Sequence, residues 1–216
     1  MFSFLFISTI LNNNLIRNLS NIFKVSDIKI ENTKQEIDQL ILLNLSFLLE
    51  KNIFFVSKKK ILKNLDKLTF IESISIEKIY PSTIHIKTKV TNFVAITYID
   101  QKKHFVGLNG NFILAKNILN EKKLPIIFGK FNPGDYILLQ RELLRQKIDP
   151  NEIIKYYFHK NKRWDLHFKN NIIIKLPSKN ITKALKLLKE FELSNIIPPG
   201  TIIDLRIQNR LILSNE

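Results

Sequence analysis

The stretch "FIESISIEKIYPSTIHIKTKV", residues 70–90, decides the fold of the first part of the chain. Its centre, Tyr80-Pro81-Ser82, is a turn signal. Before the turn Ile74 and Ile76 share a face. After it Ile84, Ile86, Thr88 and Val90 alternate with the basic residues His85, Lys87 and Lys89. Such alternation is typical of a strand with one buried face. The stretch therefore predicts two antiparallel strands, the second with a basic outer face.

The residues before this stretch predict a further strand and two helices. "VSDIKIE", residues 25–31, alternates as a strand does. Thr33 begins "TKQE", which has the spacing of a capping box with Glu36 at the third helical position. Ser57 is suited to cap a second amphipathic helix. We therefore expect residues 24–91 to form a three-stranded sheet with two helices on one face.

Strand signals dominate residues 92–216, the second predicted unit. "NGN" at 109–111 is a strong hairpin turn. "RWDLHFKNNIIIKLP", residues 163–177, is typical of another hairpin, in which Trp164 is expected to be a core residue. Helical spacing of apolar residues appears over 135–148 and 181–193. The predicted fold class is α+β: a small helix-covered sheet followed by a mostly antiparallel β domain with a C-terminal helix.

Composition limits the functions that are open to this chain of 216 residues. It has no cysteine, which excludes disulfides, thiolate metal sites and cysteine nucleophiles. The formal net charge of +15 would suit a nucleic acid or an anionic membrane. We favour compositional drift instead, because the lysines are dispersed apart from Lys58–Lys60, whereas nucleic-acid sites usually cluster them.

An apolar run, "MFSFLFISTIL", occupies residues 1–11. It is shorter than the roughly 20 apolar residues of a membrane-spanning helix, and it lacks the basic start and cleavage site of a signal peptide. Three interpretations stay open: a short helix packed on the domain, a degenerate signal, or a remnant of a membrane anchor. We treat residues 1–23 as a separate N-terminal apolar segment.

Sequence motifs of catalysis are missing, since no phosphate-binding glycine loop, nucleophile elbow or zinc-protease motif occurs. Asp165 and His167 would share a strand face, with His159 across a hairpin, so a metal or acid–base site is conceivable. No third ligand stands at a diagnostic spacing, and we therefore expect no metal, no cofactor and no catalytic residue. Asp204 and Arg206 are same-face neighbours that could clamp the last strands.

Several ordered segments resemble the signature of the FtsQ/DivIB family of cell-division proteins. The resemblance runs from about residue 24 to residue 213 and rests on "LTFIESISIEKIYPSTIHIKTKVTNFVA" (68–95), "GNFI" (110–113), "LPIIFG" (124–129), "RWDLHFKNNIIIKLP" (163–177) and "IIDLR" (202–206). It implies a POTRA domain over 24–91 and an FtsQ-type β domain over 92–216.

The resemblance also implies a role. FtsQ-like proteins are not enzymes but scaffolds at the division septum, held by a single-pass anchor in the inner membrane with most of the chain in the periplasm. They bind divisome proteins of the FtsB and FtsL type and link early division components to septal wall synthesis. The positions matching the family's partner-binding strand are Arg206, Ile207, Gln208, Asn209, Arg210, Leu211, Ile212 and Leu213. A second candidate surface is a POTRA edge at Ile79, Tyr80, Thr83, Ile84, His85 and Ile86.

Two other classes of protein remain as alternatives. A POTRA-containing chaperone or translocation module usually has several POTRA repeats or an outer-membrane barrel, and this sequence has neither. A basic nucleic-acid-binding protein would lose affinity steeply with salt. We expect neither a nucleic acid nor a small-molecule substrate as partner.

Overall fold

A computed structural model describes residues 21–31, 35–116, 118, 123–194 and 196–215. The chain divides into two compact units between Thr91 and Asn92. The apolar run at 1–11 and the capping residue Thr33 lie outside the described residues. Among the residues that are described, no helix has the length and apolarity needed to cross a membrane.

The first unit is a three-stranded sheet with two helices. Its elements are β1 (Asp27–Glu31), α1 (Gln35–Leu45), α2 (Lys58–Leu65), β2 (Ile71–Ile79) and β3 (Thr83–Val90), with short 3-10 turns at Ser46–Leu48 and Ile53–Phe55. The strand order is β1-β3-β2. As predicted, β3 is antiparallel to β2. It is also parallel to β1, because the two helices lead the chain from β1 into β2 and the turn after β2 then reverses its direction.

The predicted alternation places one face of β3 in the core of the first unit. Ile84 and Ile86 are fully buried, whereas Lys87 and Lys89 are exposed. The helices bury part of their apolar stripes as well, namely Ile37, Ile41 and Leu45 of α1 and Ile61 and Leu65 of α2. Ser57 is the N-cap residue of α2, as expected, but its hydroxyl makes no capping hydrogen bond. The first turn of α2 is therefore less well stabilised than the sequence suggests.

The described residues of the second unit form one nine-stranded sheet and two helices. The elements are β4 (Phe93–Ile99), β5 (Lys102–Gly107), β6 (Phe112–Leu114), β7 (Ile126–Phe128), α3 (Pro133–Arg145), β8 (Ile153–Phe158), β9 (Trp164–Phe168), β10 (Ile173–Lys175), α4 (Ile181–Ser194), β11 (Thr201–Asp204) and β12 (Ile212–Asn215). The order across the sheet is β12-β11-β10-β9-β8-β7-β4-β5-β6. This architecture confirms the predicted α+β class.

The helix predicted over 135–148 begins two residues earlier and ends sooner. Pro133 opens α3, and the side chain of Asn132 accepts a hydrogen bond from the Gly134 N–H at 2.7 Å. Proline at the first position and asparagine at the cap are a favourable helix start. At the other end Lys147 has a φ of 58°, a left-handed conformation that cannot continue the helix.

Aromatic rings form the centre of the second unit's core. Trp164 is only 2% exposed, which confirms its predicted core position. Its ring centroid lies 4.7 Å from Phe158 and 5.8 Å from Phe131. Tyr136 and Tyr156 pack against the same indole at 6.1 and 6.3 Å. Tilted and edge-on arrangements of this kind stabilise aromatic pairs beyond the area that they bury.

Candidate functional site

The outermost strand of the large sheet, β12, has an open border. It pairs antiparallel with β11 in the register Asp204↔Ile212 and Ile202↔Ser214. Within the described residues no strand lies on its other side. All four of its residues are exposed. An outer strand of this kind carries unpaired backbone groups and is a template for another chain.

The register shows which backbone groups of β12 face the open side. The N–H of Leu205 donates to the Lys175 oxygen at 2.9 Å, so it points toward β10. The N–H and C=O groups of successive residues in a strand point to opposite sides. Those of Asp204 therefore point away from β10, toward its partner Ile212 on β12. By the same alternation the N–H and C=O groups of Leu213 and Asn215 are directed outward.

The predicted partner-binding positions are split between a loop and this strand. Ile212 and Leu213 lie in β12, but residues 206–211 connect β11 to β12. Within this loop the Arg210 N–H donates to the Ile207 oxygen at 3.2 Å, and Asn209 has a φ of 57°. The resemblance implied a partner-binding strand over all eight positions, and this is wrong for residues 206–211, because a local turn takes the chain out of the sheet between two separate strands.

Asp204 and Arg206 form the predicted clamp at the start of this loop. Arg206 Nε lies 2.8 Å from both carboxylate oxygens of Asp204, and Nη2 donates to Oδ2 as well. The Arg206 backbone N–H donates to Oδ1 at 3.0 Å. These hydrogen bonds hold the pKa of the Asp204 carboxyl below its usual value and raise the pKa of Arg206. The clamp fixes the direction in which the chain leaves β11.

The clamp is expected to loosen in acid. A carboxyl whose pKa is lowered by folding contributes stability above its ordinary pKa of about 4, and that stability is lost as pH falls through the folded value. NMR titration of the loop amides should therefore show a transition at a pH below the ordinary aspartate pKa of about 4. In Arg206→Gln this transition should move to higher pH, toward the ordinary aspartate pKa. An identical titration in both proteins would contradict the clamp.

A basic groove lies between α4 and the 206–211 loop, with a volume of about 580 Å³. The basic side chains that line it are Arg163, Lys179, Lys183, Lys186, Arg206 and Arg210. The acidic side chain in this lining is Glu190, whose carboxylate is 3.8 Å from Lys186. Leu187 and Ile207 add apolar surface. The groove therefore suits a segment with carboxylates and a few apolar side chains.

Two of the three residues considered for metal binding or acid–base chemistry, His159 and Asp165, are hydrogen-bonded to each other. His159 Nε2 lies 2.8 Å from Asp165 Oδ2. The His167 ring instead lies against Tyr157, at 4.7 Å. Throughout the described ranges no cluster of three or more His, Asp or Glu side chains could hold a metal ion. The pair is therefore a local hydrogen bond between His159, which directly follows β8, and Asp165 on β9, and the described part of the chain adds no further metal ligand to it.

Comparison with known families assigns both units. The family model "POTRA domain, FtsQ-type" matches residues 23–89. The model "Cell division protein FtsQ/DivIB, C-terminal" matches residues 95–206, which is more than half of the chain. The chain belongs to the FtsQ/DivIB family of cell-division proteins. The first unit is thus a POTRA domain, and the second is the FtsQ/DivIB C-terminal domain.

Relatives of this chain carry the same family name. The cell division protein FtsQ of Agrobacterium fabrum is 25% identical over 194 residues, covering 87% of this chain and 60% of the relative. The FtsQ proteins of Rickettsia typhi and Rickettsia conorii are 28% and 27% identical, and the matches cover 71% and 77% of their lengths. The chain therefore spans less than two thirds of its Agrobacterium relative.

The candidate POTRA edge is only partly at an edge. Thr83, Ile84, His85 and Ile86 lie on β3, which is hydrogen-bonded to β1 on one side and β2 on the other. The expectation of a free border at these four positions is wrong, because β1 pairs with β3 rather than with β2. Ile79 does lie on the outer strand β2, and Tyr80 follows in the turn.

Some features of the site were not predicted by the sequence. Ser214 and Asn215 extend the open border beyond the predicted positions. The short strand β6 forms the opposite end of the described sheet. The basic groove had one weak signal, because Lys183 and Lys186 stand three residues apart and so share a helix face. Their position in the same groove as Arg206 depends on tertiary structure, and no sequence pattern predicts it.

Proposed function

We propose that this chain is a division scaffold that binds a divisome protein of the FtsB or FtsL type by strand addition at β12. The observation that carries the proposal is the open side of β12, where the backbone groups of Leu213 and Asn215 face outward. A partner strand gains affinity from backbone hydrogen bonds and selectivity from alternate side chains. The chain would thus act by binding, without bond-making chemistry of its own.

The basic groove supports a partner that extends beyond the strand. Loop residues 206–211 lead directly from the groove into β12, so one continuous segment could contact both. The excess of basic side chains in the groove would favour carboxylates on that segment. Such charge complementarity mainly increases the association rate and excludes wrong partners. The partner in this proposal therefore combines a strand with acidic residues beside it.

The proposed location is the periplasmic side of the inner membrane at the division septum. Family membership supports a role in cell division. Attachment to the membrane through the N-terminal segment is part of this proposal, and the apolar run at residues 1–11, although shorter than a full span, is the segment that would provide it. In this position the scaffold would connect early division components with the proteins that control septal wall synthesis.

Leu213→Pro tests strand addition directly. Proline lacks the N–H that would donate to the partner, while the hydrogen bonds to β11 use Ile212 and Ser214. We expect at least about a tenfold loss of affinity for a partner of the FtsB type, equivalent to about 1.4 kcal/mol. Affinity is measured by titrating the purified partner, and folding is checked by circular dichroism.

Leu213→Ala is the matched control for this substitution. It shortens the same exposed side chain but keeps the outward N–H, so it should retain most of the affinity. An equal loss in both variants would assign binding to the leucine side chain. Full affinity in a folded Leu213→Pro variant would exclude strand addition at β12.

A further inference from the structure

The POTRA unit has an aromatic patch at its surface, formed by the half-buried Phe23 with Phe54 and Tyr80, and extended by the exposed Phe55 that follows Phe54 in the chain. Phe54, Phe55 and Tyr80 are 53%, 86% and 54% exposed. The Phe54 ring lies 5.0 Å from Phe23 and 5.1 Å from Tyr80, so these rings form one continuous surface. Contiguous apolar groups on a surface mark a site of interaction with a protein or a membrane.

The patch lies at the end of the unit where the chain enters it. The Ile53 N–H donates to the Phe23 oxygen at 2.8 Å, which fixes the entering chain beside the turn that holds Phe54 and Phe55. β3 begins at this end, since Asp27 pairs with Thr83. The chain leaves β3 after Val90, at the opposite end of the strand. The aromatic patch is thus the part of the unit nearest to the N-terminal apolar segment along the chain.

Lysines border the aromatic patch. Lys78 Nζ donates to the Phe54 oxygen at 3.3 Å. Lys58 and Lys59, exposed in the first turn of α2, follow Phe55 closely in the chain. Lys24 is beside Phe23 and pairs with Glu50 at 3.6 Å, so its charge is partly neutralised. Lys78 by contact, and Lys58 and Lys59 by their place in the chain, therefore add positive charge next to the patch.

The lysines of α2 oppose the local preference of the helix. The first turn of a helix favours acidic side chains because the helix dipole is positive there. α2 instead begins with Lys58, Lys59 and Lys60, and no acidic residue lies in its first turn. Local rules are most often broken where function requires it. An anionic surface facing this turn would compensate the unfavourable placement of charge.

We propose that the aromatic patch and its lysines seat the POTRA unit on an anionic lipid bilayer. Aromatic rings concentrate at the membrane interface, and lysines are attracted to anionic headgroups. Only about a dozen residues separate Leu11, the end of the apolar run, from Phe23, and they can span at most roughly 40 Å. The inference rests on the proposed membrane attachment, which would place the patch within reach of the bilayer.

A tryptophan probe at position 55 tests this contact in the full chain. Phe55→Trp adds an exposed indole, while the native Trp164 is 2% exposed and should not respond to lipid. The protein is reconstituted with vesicles of phosphatidylcholine and phosphatidylglycerol. We expect the added emission to shift to shorter wavelength and to be quenched by brominated lipid. Adding Lys58→Gln should reduce docking about fivefold, because one basic residue near an anionic surface contributes about 1 kcal/mol.

Lys89→Trp is the control within the same unit, since Lys89 is exposed near Val90, at the end of β3 opposite to the aromatic patch. Flotation with the vesicles reports membrane attachment separately from the emission. If the chain floats but the indole at position 55 is not quenched, the chain is attached to the membrane and the proposed docking of the patch is wrong. Equal quenching of both probes would also contradict docking of the patch. Shielding of position 55 by a partner protein in the absence of lipid would likewise contradict it. A chain that does not float overturns attachment and docking together.

Discussion

Gly129→Ala is expected to destabilise the second unit by about 3 kcal/mol or more. Gly129 follows β7 with a φ of 98°, a conformation that L-residues rarely adopt. A Cβ at this position would lie 2.1 Å from the Phe158 backbone oxygen. That oxygen belongs to β8, which is paired with β7, so the overlap can be relieved only by separating two adjacent strands. The glycine of "LPIIFG" is therefore required by backbone packing.

Gly110→Ala is the matched control. Its φ of 78° is also positive, but a Cβ there would meet open space. The free energy of unfolding of this variant should fall only by the cost of placing alanine in the left-handed region, about 1–2 kcal/mol. Both variants can be compared by denaturant unfolding followed through Trp164 fluorescence. Equal losses of unfolding free energy in the two variants would show that the close approach to Phe158 does not contribute to the effect at Gly129.

Trp164→Ala is expected to cost about 3–5 kcal/mol of the second unit's free energy of unfolding. The indole contacts the rings of Phe131, Tyr136, Tyr156 and Phe158, and its removal leaves a cavity that rigid aromatic neighbours fill poorly. Because the loss approaches the whole stability of a typical domain, the variant should be partly unfolded at moderate temperature.

Thermal and urea unfolding followed by circular dichroism measure this loss, since the fluorescent residue itself is removed. Tyr98→Ala serves as control, because Tyr98 is an exposed aromatic residue on the same sheet. Its substitution should change stability by no more than about 0.5 kcal/mol. A Trp164→Ala variant as stable as this control would contradict the central place of the indole in the core.

The strands and helices were predicted where the local pattern is strong. In β3 the alternation of isoleucine with lysine indicated both the strand and its buried face. The helix predicted at 181–193 is α4, Ile181–Ser194, because its apolar spacing is regular. Element ends were less predictable. α3 begins at Pro133 because of a cap formed by the Asn132 side chain, a contact that depends on the conformation of the loop.

The candidate site was predicted less completely than the fold. Asp204 and Arg206 are close in sequence, so their clamp could be foreseen. The loop that follows could not, because its apolar residues suit a strand as well as a turn. The POTRA edge was misplaced for a related reason. Whether β3 is central or outer depends on where β1 pairs, and a long crossover leaves that choice undetermined by local pattern.

By itself, the sequence of this FtsQ/DivIB family member determined what is local: the period of each apolar pattern, the turns, the lack of thiol chemistry and the ordered family motifs. Only the tertiary structure decided which strands are outermost, which backbone groups of β12 face outward, and which lysines line one groove. The physical reason is that period and turn preference act over a few residues. Strand order and charge clustering arise instead from contacts between residues far apart in the chain.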